Sequence, residues 1–249
     1  MRKYILILSL VLLWSCDKAD NTSPGSSNSS AGGSSGIGGS LARFAVVNNN
    51  MFVLTENELH CLSVQNPSKP DFISKYNVGW GMETIFPKDT LLFLGSEWGM
   101  HIYDISNPTR PLKLSVYEHI ISCDPVVADD NYAYVTLRTG TTCMRGVNRL
   151  EIVDISNVRN PFLVKEYPMT NPHGLGIDQH SLFVCDNGLK VYDASNVNEI
   201  VLKKHFSINA KDVIPYNGLL MVMADDGLYQ YRYENEEINL LSKIGIGNE

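Results

Sequence analysis

The sequence lacks most of the short signatures of enzymes and metal proteins. Its 249 residues contain no CxxC pair, which weakens zinc-ribbon and thiol-redox interpretations, and no HExxH or Walker A motif. Basic residues are fewer than acidic ones, 20 against 27, and form no visible stripe, so nucleic-acid binding is not expected. No sustained helical period appears, and after residue 16 no run is long and apolar enough to span a membrane.

One phrase recurs five times and indicates the architecture. Its variants begin HCLSVQNP, HIYDISNP, EIVDISNV, KVYDASNV and YQYRYENE, and they share an Asn at Asn66, Asn107, Asn157, Asn196 and Asn235. Consecutive members lie 39 to 50 residues apart, close to the roughly 40–45 residues of a four-stranded propeller blade. Short apolar runs bounded by turn residues fill the intervals. The predicted fold is therefore all-β, a five-bladed β-propeller of four-stranded antiparallel blades.

The phrase itself is expected to be structural. Asp104, Asp154 and Asp193 come just before the turn between the third and fourth strands of their modules, where a short carboxylate can accept turn N–H groups. Asn-Pro then ends the strand. A residue repeated from module to module suits a scaffold, whereas a reaction usually needs an asymmetric site. We predict turn roles for these three residues and no catalytic role.

The N-terminus predicts export and a lipid anchor. Arg2 and Lys3 precede the apolar run Tyr4–Trp14, which is typical of a signal peptide and too short to cross a bilayer. LWSC, ending at Cys16, resembles a bacterial lipobox, with a bulkier Trp14 than usual. The resemblance implies that Cys16 is lipidated; the alternative is an ordinary signal peptide with a chance Cys.

A tether follows the proposed anchor. Residues 21–40 contain almost no apolar bulk, so they are expected to stay flexible and to reach roughly 25 Å. The charged start at residues 17–20 resembles the short acidic export signals of surface-exposed Bacteroidota lipoproteins, or it is simply a solvated start. We predict three regions: a signal peptide (1–15), a lipid-anchored linker (16–40) and a propeller (41–249).

The repeated phrases resemble a known family. VDIS, YDIS and YDAS followed by N-P or N-V, together with GWGMETIFP and YPMTNPHGLGID, are similar to LVIVD-repeat proteins, a propeller family of bacterial and archaeal surface proteins, and most of all to lipoprotein members from the Bacteroidota. The resemblance covers residues 41 to about 245. The first module departs most, with Ser63-Val64 where Asp-Ile would stand, and the fifth has Arg232-Tyr233 there. It implies a surface location and an interaction role, and it supplies no catalytic residues.

Four cysteines remain after Cys16. In a propeller blade the connection that enters the first strand and the connection between the second and third strands lie on one face, so Cys123 and Cys143 could meet there. We predict that they form a disulfide in an oxidising compartment, adding about 3 kcal/mol in the chain-entropy model; two unpaired thiols are the alternative. Cys61 and Cys185 lie within strands and are predicted to be small core hydrophobes.

The candidate site is the mouth of the central channel. Aligned first strands place one polar residue of each module there: Arg43, Glu83, Asp124, His173 and Asp212, with Trp80, Trp98 and Lys211 nearby. The alignment can slip by one residue at His173 and Asp212. Such a set could bind a cation or a small polar ligand, carry out acid–base chemistry, or merely line a wet channel. No cofactor or resident metal is predicted, although a cation could occupy the channel.

The third module is longer than its neighbours by about nine residues, over Arg138–Arg149. Loops that depart from a repeat often carry function, and a tolerated insertion is the alternative. The predicted function is that of an envelope lipoprotein, on the outer membrane, whose propeller binds or scaffolds an envelope protein or glycan. The alternative is a glycosidase-like hydrolase at the channel mouth, which would need two carboxylates roughly 5–5.5 Å or 6.5–9.5 Å apart.

Overall fold

The computed structural model describes residues 38–119, 125–140, 147–234 and 237–246. Within them the alternating apolar and polar residues form twenty β-strands, because side chains of period two present one apolar face for packing. The strands are β1 (Phe44–Val47), β2 (Asn50–Leu54), β3 (Glu58–Ser63), β4 (Asp71–Asn77), β5 (Met82–Lys88), β6 (Leu91–Ser96), β7 (Gly99–Asp104), β8 (Leu112–Glu118), β9 (Val126–Ala128), β10 (Tyr132–Leu137), β11 (Arg149–Asp154), β12 (Phe162–Pro168), β13 (Pro172–Asp178), β14 (Ser181–Asp186), β15 (Leu189–Asp193), β16 (Val201–Phe206), β17 (Ala210–Tyr216), β18 (Leu219–Ala224), β19 (Gly227–Glu234) and β20 (Glu237–Gly245).

The strands form five sheets of four, each antiparallel and in chain order. Blade 1 is β1–β4, blade 2 is β5–β8, and so on to blade 5, β17–β20; the strands of each blade are called A to D from the channel outward. The prediction of an all-β, five-bladed propeller is confirmed. In the described part of the chain no helix is long and apolar enough to cross a membrane.

The meander fixes which connections share a face. Because A, B, C and D alternate in direction, the A–B and C–D turns lie at one end of every blade, and the B–C and D–A connections lie at the other. We call the first end the CD face and the second the BC face. The pairing of strands C and D is interrupted by a register shift at the same place in all five blades, which repeats the same bend around the ring.

Apolar clusters hold consecutive blades together. Phe52 of blade 1 and Leu94 of blade 2 belong to one buried cluster, and Phe93 of blade 2 and Val135 of blade 3 belong to another. Two further clusters join blade 3 to blade 4 and blade 4 to blade 5. These side chains are almost completely buried, and burial of each stabilises the fold by about 1.5–3 kcal/mol.

The C–D turns use one hydrogen-bonding scheme. The backbone N–H of Ser106, Ser156 and Ser195 donates to the carboxylate two residues before it, on Asp104, Asp154 and Asp193, at 2.8, 2.9 and 3.0 Å. These bonds lower the pKa of the Asp104 and Asp193 carboxyls. This geometry is the one that the predicted turn role requires.

The shared Asn serves the same turns. The side-chain oxygens of Asn66, Asn107, Asn157 and Asn196 each accept the backbone N–H two residues on, all at 3.1 Å. The turns then accept bonds from the preceding blade: Ser115 of β8 donates to the carbonyl of Val158 at 2.5 Å, and Tyr167 of β12 donates to that of Val197 at 2.8 Å. The repeated phrase therefore shapes each turn and helps to join neighbouring blades. Asn235 lies outside the described residues.

Blade 5 meets the start of the propeller in another way. Among the described residues none of the four buried clusters joins blade 5 to blade 1. Instead, residues 38–42 lie against the channel wall. Ser40 donates to Asp212 Oδ1 of blade 5 at 2.9 Å and accepts the Leu175 N–H of blade 4 at 2.8 Å, while the Ala42 carbonyl accepts the Ile85 N–H of blade 2 at 2.9 Å. A polar contact between residues 172 positions apart thus ties the start of the propeller to blade 5.

Candidate ligand-binding face

Three A strands begin with a bulge on the BC face. The A–B pairing skips Glu83 in blade 2, His173 and Gly174 in blade 4, and Lys211 in blade 5. A bulge leaves its extra residue outside the ladder and re-aims the side chain, and bulges are common beside functional sites. Three chemically unlike side chains therefore lie at equivalent places around the channel mouth.

His173 is neutral in this setting. Arg138 Nη1 and Asn171 Nδ2 lie 3.5 and 3.3 Å from His173 Nε2, so Nε2 acts as the acceptor and the ring proton belongs on Nδ1. Burial, followed by the charges of Arg138 and Lys211, lowers the pKa of His173 to about 4. Near pH 7 the imidazole can therefore accept and donate one hydrogen bond each while carrying no charge.

Ion pairs surround this position. Lys211 Nζ lies 3.3 Å from Asp225, and Lys190 Nζ lies 2.6 Å from the fully buried Asp186. Asp186 also accepts the backbone N–H groups of Thr170 and Asn171, at 2.9 and 2.6 Å. The D–A connection that precedes His173 is therefore fixed by a buried carboxylate, which holds the imidazole in place.

Asp212 is not the blade 5 residue that the bulge re-aims. The register gives that place to Lys211, one residue earlier, which is the slip that the sequence alignment left open. Asp212 is only 6% exposed, accepts the Ser40 hydroxyl and the Val213 N–H on Oδ1, and lies so close to Gly39 and Gly174 that a Cβ on either would come within 2.2 Å of its oxygens. Burial raises the pKa of this carboxyl.

The other predicted mouth residues have different surroundings. The Arg43 guanidinium donates to the carbonyls of Met82 and Leu54, at 3.2 and 3.5 Å, which places Arg43 beside half-buried Glu83. Asp124 lies outside the described residues. Across the described ranges no three His, Cys, Asp or Glu side chains are grouped so as to hold a metal ion.

The long loop of blade 3 reaches the same mouth. Its first residue, Arg138, contacts His173, and its last, Arg149, pairs with Glu151 and, at 3.0 Å, with Glu166. Residues 141–146, including Cys143, and residues 120–124, including Cys123, lie outside the described part, so the disulfide stays a prediction, as does lipidation of Cys16. Cys61 and Cys185 are buried free thiols, which confirms their core role; burial raises the pKa of both.

Two tryptophans on the BC face are further candidate functional residues. Trp80 lies on the connection between blades 1 and 2, and Trp98 lies on the B–C turn of blade 2; their exposed fractions are 71% and 55%. Sequence reasoning placed them only near the mouth. A usable signal was present, because the triplet W-G-M occurs at 80–82 and again at 98–100.

Cavities lined by described residues open on the CD face, and two of them are large. One, of about 580 Å³, lies between blades 4 and 5, and the other, of about 410 Å³, lies at that end of the channel and includes Gly38. In the first, Lys203 faces Asp193 at 3.4 Å and Tyr233 donates to Asp178. Two pairs of polar groups in this cavity thus bond to each other.

Comparison with known proteins agrees with the fold. The LVIVD repeat model matches residues 95–118 and 122–169. No curated protein matches the sequence.

Several solved structures are similar. A functionally unknown protein from Desulfotomaculum acetoxidans has a TM-score of 0.66 at 12% identity, over 80% of this chain and 67% of that one. A Lactobacillus plantarum protein has a TM-score of 0.60 at 13% identity, over 80% and 73%. The periplasmic gluconolactonase of Pseudomonas aeruginosa has a TM-score of 0.59 at 12% identity, over 80% and 68%. These likenesses show a shared fold alone.

Proposed function

We propose that this chain, a β-propeller that contains LVIVD repeats, is an envelope lipoprotein that binds a polar ligand at the channel mouth on its BC face. The observation that carries the proposal is the set of three bulges that re-aim Glu83, His173 and Lys211 at the start of strand A. Bulges are common beside active sites because they re-aim a side chain, and the three re-aimed residues differ in their chemistry.

The chemistry of the mouth suits a ligand rich in hydroxyl or carboxylate groups. His173 is uncharged, and Arg138 and Lys211 contribute positive charge in a chain whose formal net charge is −7. Convergent donors of different kinds are typical of sites that orient a polar ligand by hydrogen bonds.

The hydrolase alternative has less support than binding. Hydrolysis of a glycoside needs two carboxylates that face the same substrate. Asp212 is packed against Gly39 and Gly174 and accepts the Ser40 hydroxyl, so it is a poor candidate for one of the pair. Glu83 is the other candidate carboxylate among the described residues. Because hydrolysis needs a pair, the geometry favours binding.

The mouth can be tested by affinity capture from detergent-solubilised envelope. The full chain is immobilised as wild type, as His173→Ala/Lys211→Ala, and as the control His180→Ala/Lys204→Ala on the CD face. Captured protein and glycan are quantified. We expect the mouth variant to retain less than about a tenth of the ligand that wild type captures. A tenfold loss of affinity corresponds to about 1.4 kcal/mol of binding free energy, the scale of the hydrogen bonds removed. The control should match wild type. Equal capture by all three chains contradicts the proposal.

The anchor is tested separately by labelling cells with radioactive palmitate. Wild type and the buried-thiol control Cys61→Ala should incorporate label, and Cys16→Ala should not, because the acyl chains are attached through Cys16. Absence of label from the wild type, or equal label in Cys16→Ala, overturns the lipoprotein assignment and leaves the binding site unaffected.

A further inference from the structure

Trp80 and Trp98 lie on two connections that are bonded to each other. The Glu97 N–H donates to the Gly81 carbonyl at 3.1 Å, and the Gly81 backbone packs against the Glu97 side chain. Both indoles are more than half exposed, although large aromatic side chains usually bury most of their surface. Neighbouring exposed aromatic residues mark an interaction surface. We call this pair the tryptophan platform.

The exposure of the platform is built into the backbone. Trp80 lies between Gly79 and Gly81, whose φ angles of 100° and 76° favour glycine, and the Gly79 N–H bonds to the Asn77 side chain at 3.1 Å. These bonds and angles hold the Trp80 loop in one shape.

Trp98 is held as firmly. Its N–H donates to Ser96 Oγ at 3.3 Å, and the same hydroxyl donates to the Gly99 carbonyl at 2.8 Å. A Cβ on Gly99 would lie 2.2 Å from the Tyr117 carbonyl, so the hairpin requires glycine at that position. A loop whose backbone is fixed before binding loses little backbone conformational entropy when a ligand arrives.

The surroundings of the platform are acidic. Glu97 lies in the Trp98 turn, Glu118 pairs with Gly99, and the Glu56 carbonyl accepts the Met82 N–H at 3.3 Å. Residues 55–58, 77–83, 96–99 and 116–119 contain five Glu and no Lys or Arg. The basic residue beside them, Arg43, donates to the Met82 and Leu54 carbonyls. Phosphate-rich polymers and anionic lipid surfaces need basic partners, so the local charge disfavours them.

We propose that the tryptophan platform binds a neutral glycan, and this rests on the binding function proposed above. The apolar C–H face of a sugar ring can stack on an indole, whose π face is electron-rich, while sugar hydroxyls donate to the nearby carboxylates. A quaternary ammonium ligand would also be attracted to indoles and carboxylates, but it is usually enclosed by several rings. Two rings that remain 71% and 55% exposed form an open surface, which suits a flat and extended ligand.

The chain offers a selective optical test, because Trp14, Trp80 and Trp98 are its three tryptophans. In the full chain carrying Trp14→Phe, all indole emission comes from the platform. The emission spectrum is titrated with a β-glucan, an α-glucan and a mannan, and in parallel with choline and with vesicles of phosphatidylglycerol. We expect a saturable shift with at least one neutral polysaccharide and none with choline or vesicles.

Single variants then assign the site. Trp80→Ala and Trp98→Ala each leave one reporter and should weaken glycan binding by about tenfold or more, with unchanged thermal unfolding because both side chains are exposed. Phe72→Ala, which removes an exposed aromatic of blade 1, is the matched control and should bind as wild type.

The proposal is overturned if no polysaccharide shifts the emission, if choline or the vesicles alone do so, or if both Trp variants bind as wild type. The mouth variant His173→Ala/Lys211→Ala keeps both indoles. This variant can therefore lose envelope capture while the tryptophan platform still binds glycan. Envelope capture tests the channel-mouth proposal, and the emission titration tests the platform proposal.

Discussion

On the CD face the described C–D turns are close copies of one another, whereas the connections of the BC face differ from blade to blade. Four turns place an Asn oxygen 3.1 Å from the N–H two residues on. On the BC face the B–C connection has two residues in blade 2 and eleven in blade 3. Every blade must make the same bend, so the turns that make it stay alike. Connections that do not form this bend can differ between blades, with Trp98 in one blade and Arg138 in another.

The difference separates two kinds of asymmetry. His173, Lys211 and the tryptophan platform are unlike their counterparts and face outward, as binding residues do. Asp212 is also unlike its counterparts, yet it faces inward and joins residues 38–42 to blades 4 and 5. A residue that breaks the repeat is therefore a candidate for ligand binding only when the ring does not need it for closure.

The largest expected effect tests the structural role of Asp212. Gly174→Val would place a Cβ 2.2 Å from Asp212 Oδ1 and 2.9 Å from its Cα. Because backbone and a buried carboxylate cannot both move away, we expect a loss of about 3 kcal/mol or more in the free energy of unfolding in urea. The control Gly245→Val adds its side chain in open space and should change little. Equal curves for the two variants would show that the Asp212 contact does not hold the ring.

Blade number, strand order and turn chemistry could be predicted because each depends on neighbouring residues. Asp104 and Asn107 act within two residues of themselves, so their spacing alone reveals their role. The bulges could not be predicted, because an extra residue at the start of a strand leaves the alternation of the remaining residues unchanged. The re-aimed residue of blade 5 is Lys211 and not Asp212. The Ser40–Asp212 bond spans 172 positions, and no local pattern records such a contact.

The next effect depends on pH and concerns His173. Its pKa is lowered to about 4 in the folded chain, against about 6.5 in the unfolded chain. Between these values the unfolded chain binds more protons, so the contribution of His173 to stability is present above pH 6.5 and is lost as the pH falls toward 4. Between pH 7.5 and 5, the stability of wild type relative to His173→Gln should fall by about 1 kcal/mol in urea titrations, after allowance for solvent screening. His180→Gln, on the CD face, should follow the wild type, and a constant difference between wild type and His173→Gln would contradict the half-buried neutral imidazole.

The smallest effect addresses the CD face directly. Asn157→Ala removes the bond to the Arg159 N–H at 3.1 Å and loosens the turn whose Val158 carbonyl accepts Ser115 of the preceding blade. We expect a loss of about 0.5–1 kcal/mol in the free energy of unfolding, and glycan and envelope binding equal to wild type. Asn160→Ala is the matched control, because Asn160 bonds to the turn through its backbone N–H, which the substitution keeps. If Asn157→Ala weakened binding without lowering the free energy of unfolding, the repeated turns would be part of the binding surface. That result would contradict the assignment of structural turns to the CD face and binding residues to the BC face.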